Sequence, residues 1–294
     1  MNYIISCCSS VDLPESTLKE NGIEYVPMHY SLDGVDYKDD LFKSISAKQF
    51  YEKLRNGVSS STAQVNVNEY YEYFEGFLKN GLDVLHICLS GGITGTMNSA
   101  VNARNMLKEK YPDNKILLCD SLCASCGYGL VCLKAAELKA EGKSIDEVFS
   151  FIEEYKSTVE EWFFTSDLTY FVKGGRLSAV SGWFGTMLKI CPLLEVDSEG
   201  KLIPREKCRG KQKAIEACFN KMLERAGEAK KYNGRCYIAN SDCFDDAKKL
   251  SDMIEASFPK LKGKVEIVDV GVIIGTHTGP GTTGLFFEGG NDIK

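Results

Sequence analysis

The stretch Val84-Leu85-His86-Ile87-Cys88-Leu89, followed by Ser90-Gly91-Gly92-Ile93-Thr94-Gly95-Thr96, decides the fold of this chain. Its near-continuous apolar run is typical of a β-strand that is covered on both faces. The loop that follows is rich in glycine and hydroxyls and leads into a predicted helix over 97–110. Backbone N–H groups and hydroxyls at the start of a helix favour anions. The loop lacks the G-K-[ST] sequence of a nucleotide-binding P-loop, so it predicts a cradle for a different small anion.

The same alternation of strand and helix extends over residues 1–157. Strands are predicted at 1–6, 23–30, 84–89 and 115–119, and helices at 12–21, 46–56, 66–79, 97–110, 125–141 and 144–157. This order predicts an α/β domain with a parallel, Rossmann-like sheet flanked by helices. We expect its ligand beyond the carboxyl ends of the strands.

Residues 158–294 show a different pattern. Strands are predicted at 162–166, 188–196, 201–208, 235–241 and 265–274, helices at 211–228 and 244–258, and a fraying polar tail at 288–294. The second and third strands flank Asp197-Ser198-Glu199-Gly200 and predict a hairpin. The pattern favours an α+β domain with a mixed sheet. No Ser/Gly-rich linker separates the two domains, so we expect them to pack tightly, with the ligand between and within them. A strand or loop of one domain could also be exchanged with the other.

Composition excludes several classes of function. The chain has 294 residues, of which 44% are hydrophobic and 26% charged, and its formal net charge is −6. That charge gives no general attraction to nucleic acid or to anionic membranes. No apolar run approaches the ~18 residues of a membrane span, so no stable membrane insertion is expected. The sequence starts without a basic, then apolar, signal segment, and this favours a cytoplasmic location.

The twelve cysteines are expected to be reduced thiols, because the chain is long and shows no secretion signal. Cys119, Cys123 and Cys126 have the spacing C-x3-C-x2-C of an iron–sulfur triad. We reject that interpretation because Cys119 closes a predicted strand while the other two begin the next helix. A redox pair formed by Cys123 and Cys126 stays open, but helix packing is the favoured interpretation.

The segment 275–281, Gly-Thr-His-Thr-Gly-Pro-Gly, places His277 between two hydroxyls in a predicted loop after the strand 265–274. Only His29, His86 and His277 occur in the chain, and the first two lie in apolar runs that predict core positions. The glycines allow close approach to a ligand. Two interpretations stay open for His277, a polar ligand site and a tight turn in which the imidazole caps a carbonyl.

Other glycine- and hydroxyl-rich segments lie at 59–64 and 168–176, each at a predicted strand end. Any one of them alone is explained as well by capping and turn formation. No G-x-S-x-G, H-E-x-x-H or dinucleotide fingerprint is present. The polar residues are hydroxyls, amides, one arginine and one histidine. This set suits binding of a carboxylate or phosphate better than its chemical conversion.

These motifs, taken in order, resemble the DegV family of bacterial fatty-acid-binding proteins over essentially the whole chain. The resemblance lies in I-T-G-T at 93–96, C-D-S-L-C-A-S at 119–125, D-L-T-Y-F-V-K-G-G-R-L-S at 167–178 and I-G-T-H-T-G-P-G at 274–281. It implies a two-domain α/β protein that encloses one long-chain fatty acid and needs no cofactor or metal. It also implies a partner, a fatty acid kinase that phosphorylates the carboxylate for phospholipid synthesis, so the chain itself would be a carrier and not an enzyme.

The resemblance also implies roles for individual residues. The residues implied to bind the carboxylate are Thr62, Thr94, Gly95, Ser121, Arg176 and His277. Those implied to present the head group to the kinase are Arg176, Arg209 (in Lys207-Cys208-Arg209) and His277. The sequence departs from the family pattern at Cys8, where the family has Asp, and at Ala63, where it has Ser. Both departures lie near the head-group loops.

A fatty acid needs an apolar tunnel with a polar clamp at its mouth. The apolar residues expected to supply the tunnel are Trp162, Phe163, Phe164, Phe171, Trp183, Phe184, Met187, Leu188, Ile190, Leu193 and Leu194. Burial of ~15 methylenes at ~0.8 kcal/mol each gives roughly 12 kcal/mol before the costs of immobilisation. The alternative function is an enzyme that acts on a small carboxylate or phosphate, with His277 as general base.

Overall fold

The structure, a computed structural model, describes residues 2–177 and 190–290. Four of the residues predicted to line the tunnel, Trp183, Phe184, Met187 and Leu188, lie outside the described residues. The end of the predicted polar tail, 291–294, lies outside them as well.

The first half of the chain forms a four-stranded parallel sheet, as the alternation of strands and helices predicted. The strands in spatial order are β2 (Ile23–Val26), β1 (Tyr3–Cys8), β6 (Asp83–Cys88) and β7 (Ile116–Asp120). The helices of this half are α1 (Glu15–Glu20), α2 (Ala47–Arg55), α3 (Val67–Leu78), α4 (Thr96–Lys110), α5 (Ser125–Ala140) and α6 (Ile145–Tyr155). Of these, α1, α3, α4, α5 and α6 pack against the sheet. Reciprocal capping boxes begin α2, α3 and α6 at Ser46, Asn66 and Ser144, which fixes where these helices start.

A small antiparallel sheet was not predicted. The predicted strand 23–30 is divided at Pro27, which cannot donate a ladder hydrogen bond. Its second part becomes β3 (His29–Leu32), which pairs with β4 (Val35–Lys38) on one side and β5 (Ser60–Ala63) on the other. The segment 59–64 is therefore mostly a strand and not a loop.

The second half forms a six-stranded mixed sheet, as predicted. The strands in spatial order are β10 (Leu202–Arg209), β9 (Ile190–Val196), β8 (Val159–Thr165), β13 (Thr282–Glu288), β11 (Cys236–Asn240) and β12 (Glu266–Asp269). The pair β11–β12 is parallel and the other neighbours are antiparallel. The helices of this half are α7 (Thr169–Lys173), α8 (Lys211–Arg225), α9 (Phe244–Ser257) and α10 (Val272–Thr278).

The segment around His277 was predicted wrongly. The strand stops at Asp269, and Gly271 begins the short helix α10, so His277 lies in the last turn of a helix. An apolar run such as 270–274 suits a buried helix as well as a buried strand, because periodicity alone does not separate the two over so few residues.

The two halves contact each other through buried polar groups. Tyr51 Oη on α2 donates to the carbonyl of Val270 at 2.7 Å. The carboxylate of Glu161 on β8 accepts from the backbone N–H of Ala124 at 2.8 Å, and that bond lies at the start of α5. A division at residue 157 into two domains stays a prediction.

The other two histidines differ from one another. His86 is fully buried, as predicted, and its Nδ1 lies 2.7 Å from the Ser6 hydroxyl. The prediction for His29 was wrong, because this residue is about a quarter exposed and its Nε2 lies 2.6 Å from a carboxylate oxygen of Glu69. A polar partner at the sheet surface explains why an apolar neighbourhood in sequence did not bury it.

Candidate functional site

A cavity of about 390 Å³ lies between the two halves, beyond the carboxyl ends of β6 and β7. Both the loop after β6 and the start of α5 line it, as do β5, β8, α7, α10 and β13. Its position is the one expected for the ligand of an open parallel sheet. Its volume falls in the range of about 300–1,000 Å³ that is usual for small-molecule sites.

Most of the cavity wall is apolar. The apolar residues that line it are Met28, Leu89, Ile93, Phe163, Phe171, Val196, Leu202, Ala239, Val270, Ile273, Ile274 and Phe286. The rings of Phe163 and Phe171 stack with centroids 5.8 Å apart. Such a wall favours a ligand that is largely hydrocarbon.

Of the predicted tunnel residues that the structure describes, two line the cavity. Phe163 and Phe171 line the cavity, whereas Trp162, Phe164 and Leu193 belong to a separate core beneath α8. Alternate residues of a strand point to opposite faces, so the run of aromatic residues on β8 had to divide in this way. Ile190 and Leu194 are also absent from the residues described as lining the cavity.

Polar groups collect at one end of the cavity, which we call the polar end. Thr62, Thr94, Gly95, Arg176 and His277 all line it, although they come from four separate parts of the sequence. The Thr62 hydroxyl lies 2.7 Å from Nε2 of His277. The structure therefore brings five of the six predicted carboxylate-binding residues to one cavity.

Two glycines allow His277 to take its position. A Cβ built on Gly174 would lie 2.4 Å from Nδ1 of the imidazole, so only glycine fits beneath the ring. Gly279 ends α10 with φ 68°, and a Cβ there would overlap the ring of Tyr170 at 2.1 Å. The glycines of both motifs thus allow α7 and α10 to pack closely against each other.

The imidazole of His277 is held in its neutral form. Burial, together with the nearby positive charge of Arg176, lowers its pKa to about 4. Its Nδ1 is buried and has no hydrogen-bond partner among the described residues.

Arg176 reaches the same end of the cavity because α7 ends at Lys173 and Gly175 turns the chain with φ 69°. Its guanidinium donates to the carbonyl of Gly174 and, at 3.4 Å, to that of Ile93. Burial lowers its pKa, and no carboxylate of the described residues is among the causes. A half-buried arginine without a carboxylate partner is a ready site for an anionic ligand.

Three further residues of this end were not predicted as site residues. The Thr278 hydroxyl is buried without a partner among the described residues. Gln64 lies so close to Gly95 that a Cβ there would contact its amide oxygen at 2.8 Å. Ser125 also lines the cavity, and its hydroxyl donates to Asp12 at 2.6 Å. Each belongs to a motif that the sequence had marked, but only tertiary contacts could show which side chain faces the cavity.

Two predicted site residues lie elsewhere. The Ser121 hydroxyl exchanges hydrogen bonds with the backbone of Cys123 and is fully buried, and Ser121 is not among the described lining residues. Arg209 ends β10 and lines a separate groove of about 580 Å³ beside α8. These placements give Ser121 a structural explanation and put Arg209 on a different surface from the polar end.

The departures from the family pattern also have definite positions. Cys8 is fully buried, its Sγ lies 3.1 Å from the Tyr70 hydroxyl, and burial raises its pKa to about 12. Ala63 is exposed and lines the cavity beside Thr62.

Cys123 and Cys126 are both buried at the start of α5. Burial raises the pKa of the Cys126 thiol well above its ordinary value, and its Sγ donates to the carbonyl of Asp12 at 3.5 Å. Buried thiols of high pKa are poor nucleophiles, so the positions support packing over redox chemistry.

Comparison with known proteins adds to this geometry. The profile of the family described as "Uncharacterised protein, DegV family" matches residues 5–289. A DegV domain-containing protein of Clostridium perfringens is 36% identical over 288 residues, covering 98% of this chain and 97% of that protein.

Among the helices of the described residues, none has the length and apolar character that a bilayer crossing requires.

Solved structures share the fold. A DegV family protein from Thermus thermophilus, described for its fatty acid binding, aligns with a TM-score of 0.87 at 26% identity and covers 98% of this chain and 100% of that one. The fatty acid kinase B3 protein of Streptococcus pneumoniae, loaded with linoleic acid, aligns with a TM-score of 0.82 at 24% identity over 98% and 99% of the two chains. The second likeness concerns the fold alone.

Proposed function

This chain belongs to the DegV family, and from that premise we propose that it binds one long-chain fatty acid. The acyl chain occupies the apolar part of the cavity and the carboxylate lies at the polar end. The observation that carries this proposal is a half-buried Arg176 with no carboxylate partner among the described residues, in the same cavity as a Thr278 hydroxyl that also has no partner among them. Buried donors without partners are costly, and a carboxylate would accept hydrogen bonds from both groups.

The carboxylate is held by the Thr62 and Thr94 hydroxyls, the Gly95 N–H and the Arg176 guanidinium. His277 acts through Thr62, since the two side chains are 2.7 Å apart. In the tautomer that carries its proton on Nε2, His277 donates to Thr62. The hydroxyl proton of Thr62 is then free to donate to the ligand.

The chain is proposed to be a carrier and not an enzyme. A general base works best when its pKa lies near the operating pH, whereas that of His277 is about 4. A hydroxyl–imidazole pair such as Thr62 and His277 also needs a third group to orient the ring. No described residue hydrogen-bonds Nδ1, which argues against the alternative of a hydrolytic pair.

A fatty acid kinase is the proposed partner, and it would phosphorylate the bound acid for phospholipid synthesis. Arg176 and His277 present the head group, and Arg209 contributes a separate basic contact. A fatty acid kinase protein shares this fold. No disulfide joins cysteines of the described residues, which supports a reducing compartment such as the cytoplasm.

The test is a calorimetric titration of delipidated protein with saturated acids of increasing length. We expect one site per chain and an affinity for palmitate at least a hundredfold above that for octanoate, because each buried methylene contributes up to ~0.8 kcal/mol. Acetate that binds as tightly as palmitate, or turnover of a small ester or phosphate that His277→Ala abolishes, would favour the enzyme alternative.

A further inference from the structure

A second cavity of about 310 Å³ adjoins the polar end, and we call it the outer pocket because its lining includes the exposed residues Ser59, Ser61 and Lys173. The outer pocket shares three lining residues with the cavity described above, here called the inner cavity: Thr62, Arg176 and His277. These three side chains therefore form a shared wall, and a head group held by them in one cavity faces the other.

The outer pocket is positively charged. The charged side chains among the described residues that line it are Lys173 and Arg176, and no aspartate or glutamate is among them. This contrasts with the chain as a whole, whose net charge is −6. Since a lining of one sign raises the local concentration of the opposite ion, the pocket favours an anion.

Hydroxyls complete the lining. Those of Ser60 and Thr276 bond to each other at 2.6 Å, and that of Tyr170 donates to the carbonyl of Leu54 at 2.9 Å. Ser59 and Ser61 are exposed on either side of Ser60. Their hydroxyls remain available as donors, so the pocket offers two cations and two hydroxyls to a tetrahedral anion.

We propose that the outer pocket binds the phosphoryl group of an acyl phosphate whose acyl chain stays in the inner cavity. This inference rests on the proposed function. In the kinase reaction a carboxylate oxygen attacks the γ-phosphorus of ATP. The new O–P bond forms as the bond to the β-phosphate oxygen breaks, and ADP leaves. The product carries its phosphoryl group beyond the carboxylate, on the far side of the shared wall, where Lys173, Ser59 and Ser61 contact it.

The experiment compares two ligands of equal chain length on delipidated protein. One is palmitate. The other is the ketophosphonate analogue of palmitoyl phosphate, in which a methylene replaces the oxygen between acyl carbon and phosphorus. Displacement of a fluorescent fatty acid gives both dissociation constants. Lys173→Met should weaken phosphonate binding about tenfold, or about 1.4 kcal/mol, and change palmitate binding less than twofold.

Two further variants sharpen the test. Ser59→Ala with Ser61→Ala should weaken the phosphonate selectively as well. Lys53→Met removes the same charge from α2, outside the residues that line the pocket, and should leave both constants unchanged. Circular dichroism confirms that each variant is folded.

Several outcomes would overturn the assignment. Equal losses for both ligands in Lys173→Met, or equal losses in Lys53→Met, would reduce the effect to general electrostatics. Tight, saturable binding of inorganic phosphate to palmitate-loaded protein, without a Lys173 effect on the phosphonate, would assign the pocket to free phosphate. If the wild-type protein binds neither lipid, the proposed function itself fails. If it binds palmitate normally but the phosphonate shows no dependence on Lys173, only this inference fails.

Discussion

Removing the two threonine hydroxyls from the polar end should cost most of the carboxylate's contribution to binding. The variant is Thr62→Val with Thr94→Val, which keeps side-chain volume and removes both donors. A hydrogen bond to a charged group contributes about 1.5–3 kcal/mol. The Thr62 hydroxyl lies 2.7 Å from Nε2 of His277, and that of Thr94 accepts from the Thr96 N–H at 3.3 Å. Because each hydroxyl oxygen already accepts a hydrogen bond within the protein, we use the lower end of the range, about 3 kcal/mol for the pair. The expected loss of affinity for palmitate is therefore about 150-fold.

The assay is displacement of a fluorescent fatty acid from delipidated protein, with thermal unfolding as a check on the fold. Thr17→Val is the matched control, because Thr17 lies on α1 and does not line the cavity. The control should bind palmitate like the wild-type protein. A double variant that is folded and binds palmitate within twofold of wild type would refute the carboxylate clamp.

Three further predictions concern other parts of the site. The double variant Cys123→Ala with Cys126→Ala should bind palmitate normally, because both thiols are buried in helix packing. This prediction would be contradicted if anaerobically purified wild-type protein held one equivalent of metal that the variant lacked. Arg176→Ala and His277→Ala should each retain bound acid yet fail to support acyl phosphate formation with a fatty acid kinase; variants that lose the acid but are phosphorylated normally after resupply would reverse these roles. His277 has a pKa of about 4 in the folded protein against an ordinary 6.5. As the pH falls, the unfolded chain therefore binds a proton at this residue before the folded chain does. The stability that this group contributes above pH 6.5 is lost as the pH falls to 4. Between pH 6.5 and pH 4, the free energy of unfolding of the wild-type protein should therefore fall by about 2 kcal/mol more than that of His277→Gln, after allowance for partial exposure. Urea titrations that give both proteins the same pH profile would contradict this prediction.

The parallel sheet and the mixed sheet could be predicted because their strands are strongly apolar and alternate with capped helices. The small third sheet could not, since β5 is built from hydroxyl residues and is a strand only through pairing with β3. The strand β13 was also missed, although it lies between β8 and β11. Gly284 interrupts its strand pattern in sequence, and pairing on both sides outweighs that weakness.

The motifs that line the cavity could be predicted from the sequence, but not which of their side chains face it. Glycines and hydroxyls mark the polar end in sequence, because close approach and hydrogen bonding demand those residue types. Which hydroxyls face the cavity depends on tertiary packing, so Thr278 was overlooked and Ser121 was included. The neutral state of His277 likewise follows from burial beside Arg176, and no local sequence pattern reports burial by a distant segment.

The most direct test of the carrier function is denaturing mass spectrometry of the lipid that accompanies the protein through purification. We expect about one fatty acid of C14–C18 length per chain in wild-type protein and a marked loss of it in the variant that combines Thr62→Val with Thr94→Val. Wild-type protein that carries no fatty acid, and that takes up none after incubation with palmitate, would contradict it.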